Sequence, residues 1–301
     1  MAVGKWQFNF KGFALGFAEG KTLMNKNILL NSTYSFKKLL EKYNVKPKKS
    51  LGQHFLIDRK VLKKIIQVAC LSKKDTILEI GPGIGTLTLE LSPRVKKVIA
   101  IEKDKKMCEI LKEVVRNAKN VKVIRGNILK IDPLSLVPCY YKIVANIPYY
   151  LTSPVIRMFL ESPNPPQEMI LMVQKEVAKR ICAKVPKMNL LAVCVQFYAK
   201  PKIVSYVSKN SFWPKPKVDS AIIKITNIRE FSANFSNIFF KIVKAGFSHP
   251  RKLLVNNLSE KLKIDKQKIK KVLSEIGLDE KTRAENLSIK DWKRLVKLLN
   301  H

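Results

Sequence analysis

Thr76-Ile-Leu-Glu-Ile-Gly-Pro-Gly-Ile-Gly-Thr86 is the stretch from which the rest of the chain can be read. A short apolar run ends in three glycines at alternate positions, Gly81, Gly83 and Gly85. Such a run bounded by Gly and Pro predicts a buried strand, and the residues after Gly85 predict a helix opening near Thr86. A strand, a glycine turn and a helix N-terminus in succession mark where doubly wound α/β folds receive nucleotide ligands. Glycine lets the backbone approach closely, and the helix presents its free N–H groups.

Working outward, Asp58 can cap a helix whose apolar face is Val61, Leu62, Ile65, Ile66 and Ala69. Further strands are predicted at Val98–Ile101, Val121–Arg125, Lys142–Ala145 and Met169–Val173. Helices are predicted at Lys105–Val115 and Pro154–Leu160 and from Lys175. Strands alternating with helices at this spacing specify a mostly parallel, doubly wound sheet. Two late strands, Ile203–Val207 and Ala221–Ile225, are close enough in sequence to make an antiparallel edge and bring the sheet to seven strands. After Thr226 only helical patterns remain, at Ile238–Ala245, Lys266–Ile276 and Lys290–Leu299. The expected organisation is therefore an N-terminal extension over 1–34, an α/β domain over 35–226 and a small, Lys-rich, all-helical domain over 227–301. Ser35–Lys49 is basic, with Phe36, Leu39, Leu40 and Tyr43 at helical spacing. Residues 1–23 carry no Arg and no apolar signal core, so they read as a disordered tail or as an upstream start ahead of Met24.

Composition narrows the class. The chain has 301 residues, 46% hydrophobic, enough apolar content for a buried core. No window supplies the roughly 18 consecutive apolar residues of a membrane span. Five scattered Cys without a CxxC argue against a disulfide framework and a structural zinc site, and point to a reducing, cytoplasmic setting. Against 23 Asp+Glu stand 58 Lys+Arg, a net charge of +35. Such a field suits a polyanionic partner, foremost nucleic acid. The bland alternative is compositional drift, since most of the cations are Lys and Ile and Asn are also frequent, as an AT-rich genome imposes.

Chemistry concentrates at two strand ends. Glu102 ends the strand after the glycine loop, about 20 residues on, where a carboxylate accepts hydrogen bonds from a ribose diol. Together with Gly81 and Gly83 it indicates an adenosine-containing cofactor. The GxGxG spacing and Glu79 two residues ahead lean away from a nicotinamide dehydrogenase and toward an S-adenosyl-L-methionine enzyme. Asn146-Ile-Pro-Tyr149 ends the fourth strand. The lone pair of an exocyclic adenine amine is delocalised into the ring. Two acceptors bonding its hydrogens draw the nitrogen toward tetrahedral geometry and free that pair. The Asn146 side-chain oxygen and the Ile147 or Pro148 carbonyl are candidates. Pro148 fixes the turn, and Tyr149 can stack on the base for roughly 1–3 kcal/mol. The alternative is a plain strand-ending turn.

From about Lys46 onward the chain resembles the small-subunit ribosomal RNA adenine dimethyltransferases of the KsgA type. The matching stretches are Leu51-Gly-Gln-His-Phe-Leu56, Glu79 to Gly85 with Leu87-Thr88, and Asn146-Ile-Pro-Tyr-Tyr150. Val173-Gln-Lys-Glu-Val177 with Arg180, Phe212-Trp-Pro-Lys-Pro-Lys-Val-Asp-Ser-Ala221, and Phe247 with Arg251-Lys252 match as well. The resemblance implies a Rossmann-like class I methyltransferase domain with a helical C-terminal domain. It also implies dimethylation of the N6 amine of two adjacent adenosines near the 3′ end of small-subunit (16S) rRNA, in small-subunit biogenesis. The partner it implies is that RNA, in a partly assembled subunit, for a monomeric enzyme with no membrane association and no metal.

Residue by residue, it implies that His54 and Leu56 contact the methionine end of the cofactor and that Gly81 lies against the same end. Glu102 holds the ribose hydroxyls, Asn146 stands between cofactor and target amine, and Phe212 stacks on the target base opposite Tyr149. Asn127 stands where the family carries Asp against the cofactor's adenine amine, and its oxygen can still accept that bond. Before Lys252 the chain has one Arg where the family has two. Phe55, Leu56 and Phe212 also read as plain core or loop bracing, and Met188 and Cys194 as core. The competing functions are a large-subunit rRNA methyltransferase of the macrolide-resistance type, a noncatalytic RNA-binding factor, and a nicotinamide oxidoreductase.

Overall fold

The computed structural model describes residues 33–47, 52–137 and 140–300. The expectations for residues 1–32, and Cys139, lie outside them. In chain order, helix α1 (Thr33–Lys42) and strand β1 (Phe55–Leu56) lead into α2 (Arg59–Ala69). Four strand–helix units follow: β2 (Thr76–Ile80) with α3 (Thr86–Leu91), β3 (Lys97–Glu102) with α4 (Lys105–Val114), β4 (Val121–Arg125) with the one-turn α5 (Pro133–Leu136), and β5 (Lys142–Asn146) with α6 (Thr152–Leu160). Then come β6 (Glu168–Gln174), α7 (Lys175–Ile181), α8 (Leu190–Tyr198), β7 (Lys200–Val207), β8 (Phe212–Trp213) and β9 (Ser220–Thr226). Helices α9 (Ala233–Gly246), α10 (Leu254–Leu262), α11 (Lys266–Glu275) and α12 (Ile289–Leu299) close the chain.

The main sheet has seven strands in the order β4-β3-β2-β5-β6-β9-β7. The first five are parallel, and β9 runs antiparallel to both β6 and β7. This is the doubly wound, mostly parallel arrangement with the antiparallel edge that the alternating pattern predicts. The order reverses between β2 and β5, so their C-terminal ends, Ile80 and Asn146, frame the crevice where such sheets bind ligands.

Alternation explains the strand sequences. Ile77, Val98, Ala100, Val144, Ile170, Met172 and Ile222 enter one core. Their neighbours Leu78, Ile80, Ile99, Ile101, Ile143, Ala145, Met169 and Leu171 enter the other. Both faces are covered, so the strands read as unbroken apolar runs. Each fully buried Leu or Ile contributes roughly 1.5–3 kcal/mol relative to exposure. A third cluster packs Leu39 and Leu40 of α1 against Phe55, Ile84, Met107 and Ile110, which seats α1 over the glycine-loop side of the sheet.

The end of the sheet away from the crevice is held by charge. Lys142 lies 3.2 Å from Asp75 and 3.4 Å from Glu168, and Lys224 lies 2.8 Å from Glu168. Lys224 also donates to the Val68 carbonyl at 2.9 Å. Both ammonium groups meet the last carbonyls of α2, the end of a helix that favours cations.

Three differences from the expected elements have local causes. Helix α1 starts at Thr33, across the expected boundary at 34/35, and ends at Lys42, shortly before Asn44 takes a left-handed φ of 47°. Helix α8 is apolar nearly all round and buried, so it lacks the one-sided stripe that marks a surface helix. Helix α10 opens without a side-chain cap, which removed the usual start signal. Cys194, expected in the core, is half-buried, whereas Met188 is buried.

The last strand ends at Thr226, where the helical region was expected to begin. The apolar residues of α9 to α12 join the same core as α6, α8 and one face of the sheet. Phe197 of α8 is the junction: its ring centroid lies 4.4 Å from that of Phe231 and 4.2 Å from that of Phe239.

Candidate active site

The glycine loop is built by backbone conformation. Gly81 and Gly83 take φ of 68° and 58°, a region that L side chains avoid. A Cβ on Gly83 would meet the Phe55 ring at 2.9 Å, and one on Gly81 would meet Pro148 at 3.0 Å. The loop therefore lies directly against both the β1 segment and the Asn146–Tyr149 turn.

Two carboxyls flank it with different jobs. Glu102, the last residue of β3, accepts from Gly83 N at 3.0 Å through Oε2 and from Asp104 N at 2.9 Å through Oε1. Burial pushes its carboxyl up, while the N–H bonds from Asp104, Gly83 and Lys103 pull it down. Each oxygen keeps a lone pair, so the group can still accept two hydroxyl hydrogens. Glu79 is fully buried beneath the loop and accepts from Thr88 Oγ1 at 2.7 Å. Burial pushes its carboxyl up to about 8, with the Glu102 charge adding to the shift, so at neutral pH it is mainly a neutral acid.

The second strand end is just as constrained. Asn146 Nδ2 donates to the His54 carbonyl at 3.2 Å, which fixes the amide plane and leaves Oδ1 as its acceptor. The Pro148 carbonyl already accepts Leu151 N at 2.9 Å, starting a 3-10 turn over Tyr149–Leu151. Of the two carbonyls considered from the sequence, Pro148 is thus the engaged one. Tyr149 is held by a 2.8 Å bond between its hydroxyl and Ser220 Oγ, and its ring stacks on His54 at 6.0 Å and 28°. Burial pushes that phenol up, away from ionisation. His54 Nδ1 donates to the Pro214 carbonyl at 2.7 Å, which fixes the orientation of the ring.

A two-stranded ribbon closes the crevice. β1 pairs antiparallel with β8, Leu56 opposite Phe212 and Phe55 opposite Trp213. Asp58 locks it: Oδ1 caps α2 through Lys60 N and Val61 N, while Oδ2 accepts Ser211 Oγ at 2.8 Å. Leu56 and Phe212 line the crevice but are nearly covered by the core, Phe212 only 3% exposed. Asn127 caps the turn after β4, accepting Leu129 N at 3.2 Å, so one lone pair of its oxygen is already used.

All of the residues singled out from the sequence, His54, Leu56, Gly81, Gly83, Glu102, Asn127, Asn146, Pro148, Tyr149 and Phe212, line this one crevice. Gln53, Ile80, Ile101, Ile128 and Tyr150 line it too and were not anticipated. Gln53 and Tyr150 sit inside quoted motifs. The isoleucines look like any strand residue until the sheet order places them at the crevice. A carboxylate with two free acceptor positions, apolar walls from Ile101 and Ile128, and a glycine backbone lining the crevice fit an adenosine-bearing cofactor. Among the described residues no cluster of His, Cys, Asp or Glu could hold a metal ion.

Comparison with known proteins agrees with this geometry. The model of the family described as ribosomal RNA adenine dimethylase matches residues 44–301. The chain is 46% identical over 267 residues to a ribosomal RNA small subunit methyltransferase A of Dehalococcoides mccartyi (strain CBDB1), covering 86% of this chain and 90% of that one. It is 40% identical to the protein of the same name from Clostridioides difficile (strain 630), covering 90% and 97%. Among solved structures it resembles a dimethyladenosine transferase from Plasmodium falciparum, with TM-score 0.72, 29% identity and coverage of 82% and 98%. It also resembles the 23S rRNA methyltransferase ErmE, with TM-score 0.69, 26% identity and coverage of 82% and 100%.

Proposed function

Because this chain belongs to the ribosomal RNA adenine dimethylase family, we propose that it dimethylates the N6 amines of two adjacent adenosines near the 3′ end of small-subunit (16S) rRNA, with S-adenosyl-L-methionine as methyl donor. The observation that carries the reading is the shared crevice of Glu102 and Asn146, each immobilised by a backbone partner from another element. We assign a monomer working in the cytoplasm on a partly assembled subunit.

The chain's own groups divide the work. Glu102 would hold the ribose hydroxyls, Ile101 and Ile128 the adenine faces, Asn127 the adenine amine, and His54, Leu56 and Gly81 the methionine end. When bound, the cofactor supplies an electrophilic methyl group on a sulfonium. The target adenine must leave its stack to enter, as for enzymes that act on a base. Tyr149, already braced by Ser220, offers a ring for it, with Phe212 on the opposite wall. Asn146 Oδ1 accepts one amine hydrogen. The Ile147 carbonyl suits the other, since that of Pro148 is engaged by Leu151. Drawn out of the ring plane, the amine nitrogen would present its lone pair toward the methyl group that the bound cofactor would supply. The extra proton leaves to water, so no strong general base is needed. Catalysis rests on positioning and on the hydrogen bonds at the amine.

The large-subunit alternative is less favoured: relatives named for the small subunit share 40–46% identity, against 26% for the 23S enzyme. A noncatalytic factor would have no need of both Glu102 and Asn146, and the Asn-Ile-Pro-Tyr turn disfavours an oxidoreductase. The test is transfer of labelled methyl to small subunits lacking the modification, with digested RNA read by mass spectrometry. Dimethyladenosine at adjacent positions is expected. Glu102→Ala should weaken cofactor binding by about 10–100-fold through loss of charged hydrogen bonds. Transfer to large-subunit RNA alone would select the alternative.

A further inference from the structure

On the edge strand β7, at the same end of the sheet as the crevice, Tyr206 leaves 55% of its surface in water. Its backbone is one residue from Val207, which pairs with Ser220, whose hydroxyl holds Tyr149; the Tyr206 ring itself lies on the other face, with Ala221 and α7. Lys175, the first residue of α7, sits over the Tyr206 ring with Nζ 5.4 Å from the centroid. It also lies 3.6 Å from Asp219. Lys179, one turn along α7, is within electrostatic reach of the same phenol. The two segments around this ring, 175–180 and 209–219, carry six cations (Lys175, Lys179, Arg180, Lys209, Lys215 and Lys217) against two carboxylates, Glu176 and Asp219.

We infer that this rim takes the nucleotide adjacent to the target adenosine, its base stacked on the Tyr206 ring and its phosphates over Lys175 and Lys209. The inference rests on the RNA-methylating reading above. When one adenine swings into the crevice, its neighbour loses a stacking partner on that side. An exposed aromatic ring at the crevice end of the sheet replaces the partner, and any base can use it because every base has a π face. The ring has an ammonium over it and about half of the residue is in water, as a stacking platform for a polyanion requires. Tyr206 binds and orients; it does not touch the reacting atoms.

The experiment is steady-state methyl transfer to unmethylated small subunits, and to protein-free RNA of the same 3′ sequence, by the wild type, Tyr206→Ala and Tyr206→Phe. Melting temperatures of the three should coincide, since the ring lies on an exposed edge. Tyr206→Ala is expected to raise KM for both substrates by about tenfold with kcat unchanged, and Tyr206→Phe to restore the wild-type value, because stacking needs the ring and not the hydroxyl. In protein-free RNA with 2-aminopurine next to the target, wild type and Tyr206→Phe should quench its fluorescence and Tyr206→Ala should not. An unchanged KM and equal quenching in Tyr206→Ala, while the wild type methylates normally, would overturn the inference and leave the function standing. A defect confined to assembled subunits would mean that the ring meets a protein, which also overturns it. No transfer by the wild type to either substrate would defeat the functional reading and this inference together.

Discussion

Asn146, the side chain proposed to meet the target amine, is left little freedom. One hydrogen of its amide nitrogen goes to the His54 carbonyl, which fixes the amide plane and the direction in which its oxygen accepts. Replacing it with Ala should lower kcat by about 10²–10³-fold, the scale seen when one preorganised hydrogen bond at a reacting group is lost. Single-turnover rates at saturating cofactor would check this, and a rate within threefold of wild type would remove Asn146 from the chemistry. Glu79 makes a second residue-level case, with the sign set by burial. Burial pushes its carboxyl up to about 8 in the folded chain, from the ordinary glutamate value near 4.5 that it regains on unfolding. Between those values the folded state keeps a proton that the unfolded chain has lost. Stability therefore falls as pH rises from about 4.5 to about 8 and levels off above. Glu79→Gln, neutral at every pH and still able to accept from Thr88, should flatten that decline and melt higher than wild type at pH 8–9. Melting curves across pH 5–9 would test it; parallel curves would mean that Glu79 is ionised throughout. The residue types were all legible in the sequence. Which atom of each is engaged was not, because the partners come from other elements.

At the scale of elements, the parallel strands announce themselves because both faces are buried, and the glycine loop because its backbone excludes side chains. What pins the elements together is less visible. Glu168 opens β6 and joins Lys142 of β5, Lys224 of β9 and, through them, the end of α2. Glu168→Ala would leave two largely buried lysines with Asp75 as their only carboxylate among the described contacts. A loss of about 3–5 kcal/mol is expected, read as a shift in the urea midpoint at constant slope. A loss under 1 kcal/mol would show that water already screens the cluster. Helices α8 and α10 escaped the sequence reading for opposite reasons, one being apolar all round and the other uncapped.

For the whole molecule, sequence patterning separates an α/β region from a helical one, and the change of period near Thr226 is real. Yet Phe197, Phe231, Phe235 and Phe239 interlock across it, and the core continues through α9 to Trp292 of α12. Removing the helices would expose one face of that core to water. The full chain should therefore melt in a single calorimetric transition with matching calorimetric and van't Hoff enthalpies; two separable transitions would mean that the shared core contributes little.

By itself the sequence determined the fold class and the strand order along the chain, and it singled out the glycine loop, Glu102 and the Asn146–Tyr149 turn as the candidate site. Each of these is written in local periodicity, turn chemistry or a short motif. Only the tertiary structure decided which groups immobilise them. Asn146 meets His54 across 92 residues, Tyr149 meets Ser220 across 71, and Asp58 meets Ser211 across 153. It likewise decided that Tyr206 stands exposed at the crevice end of the edge strand and that burial pushes the Glu79 carboxyl up. Such contacts depend on how strands order and pack, and burial and hydrogen-bond partnership belong to that packing rather than to any local run of residues.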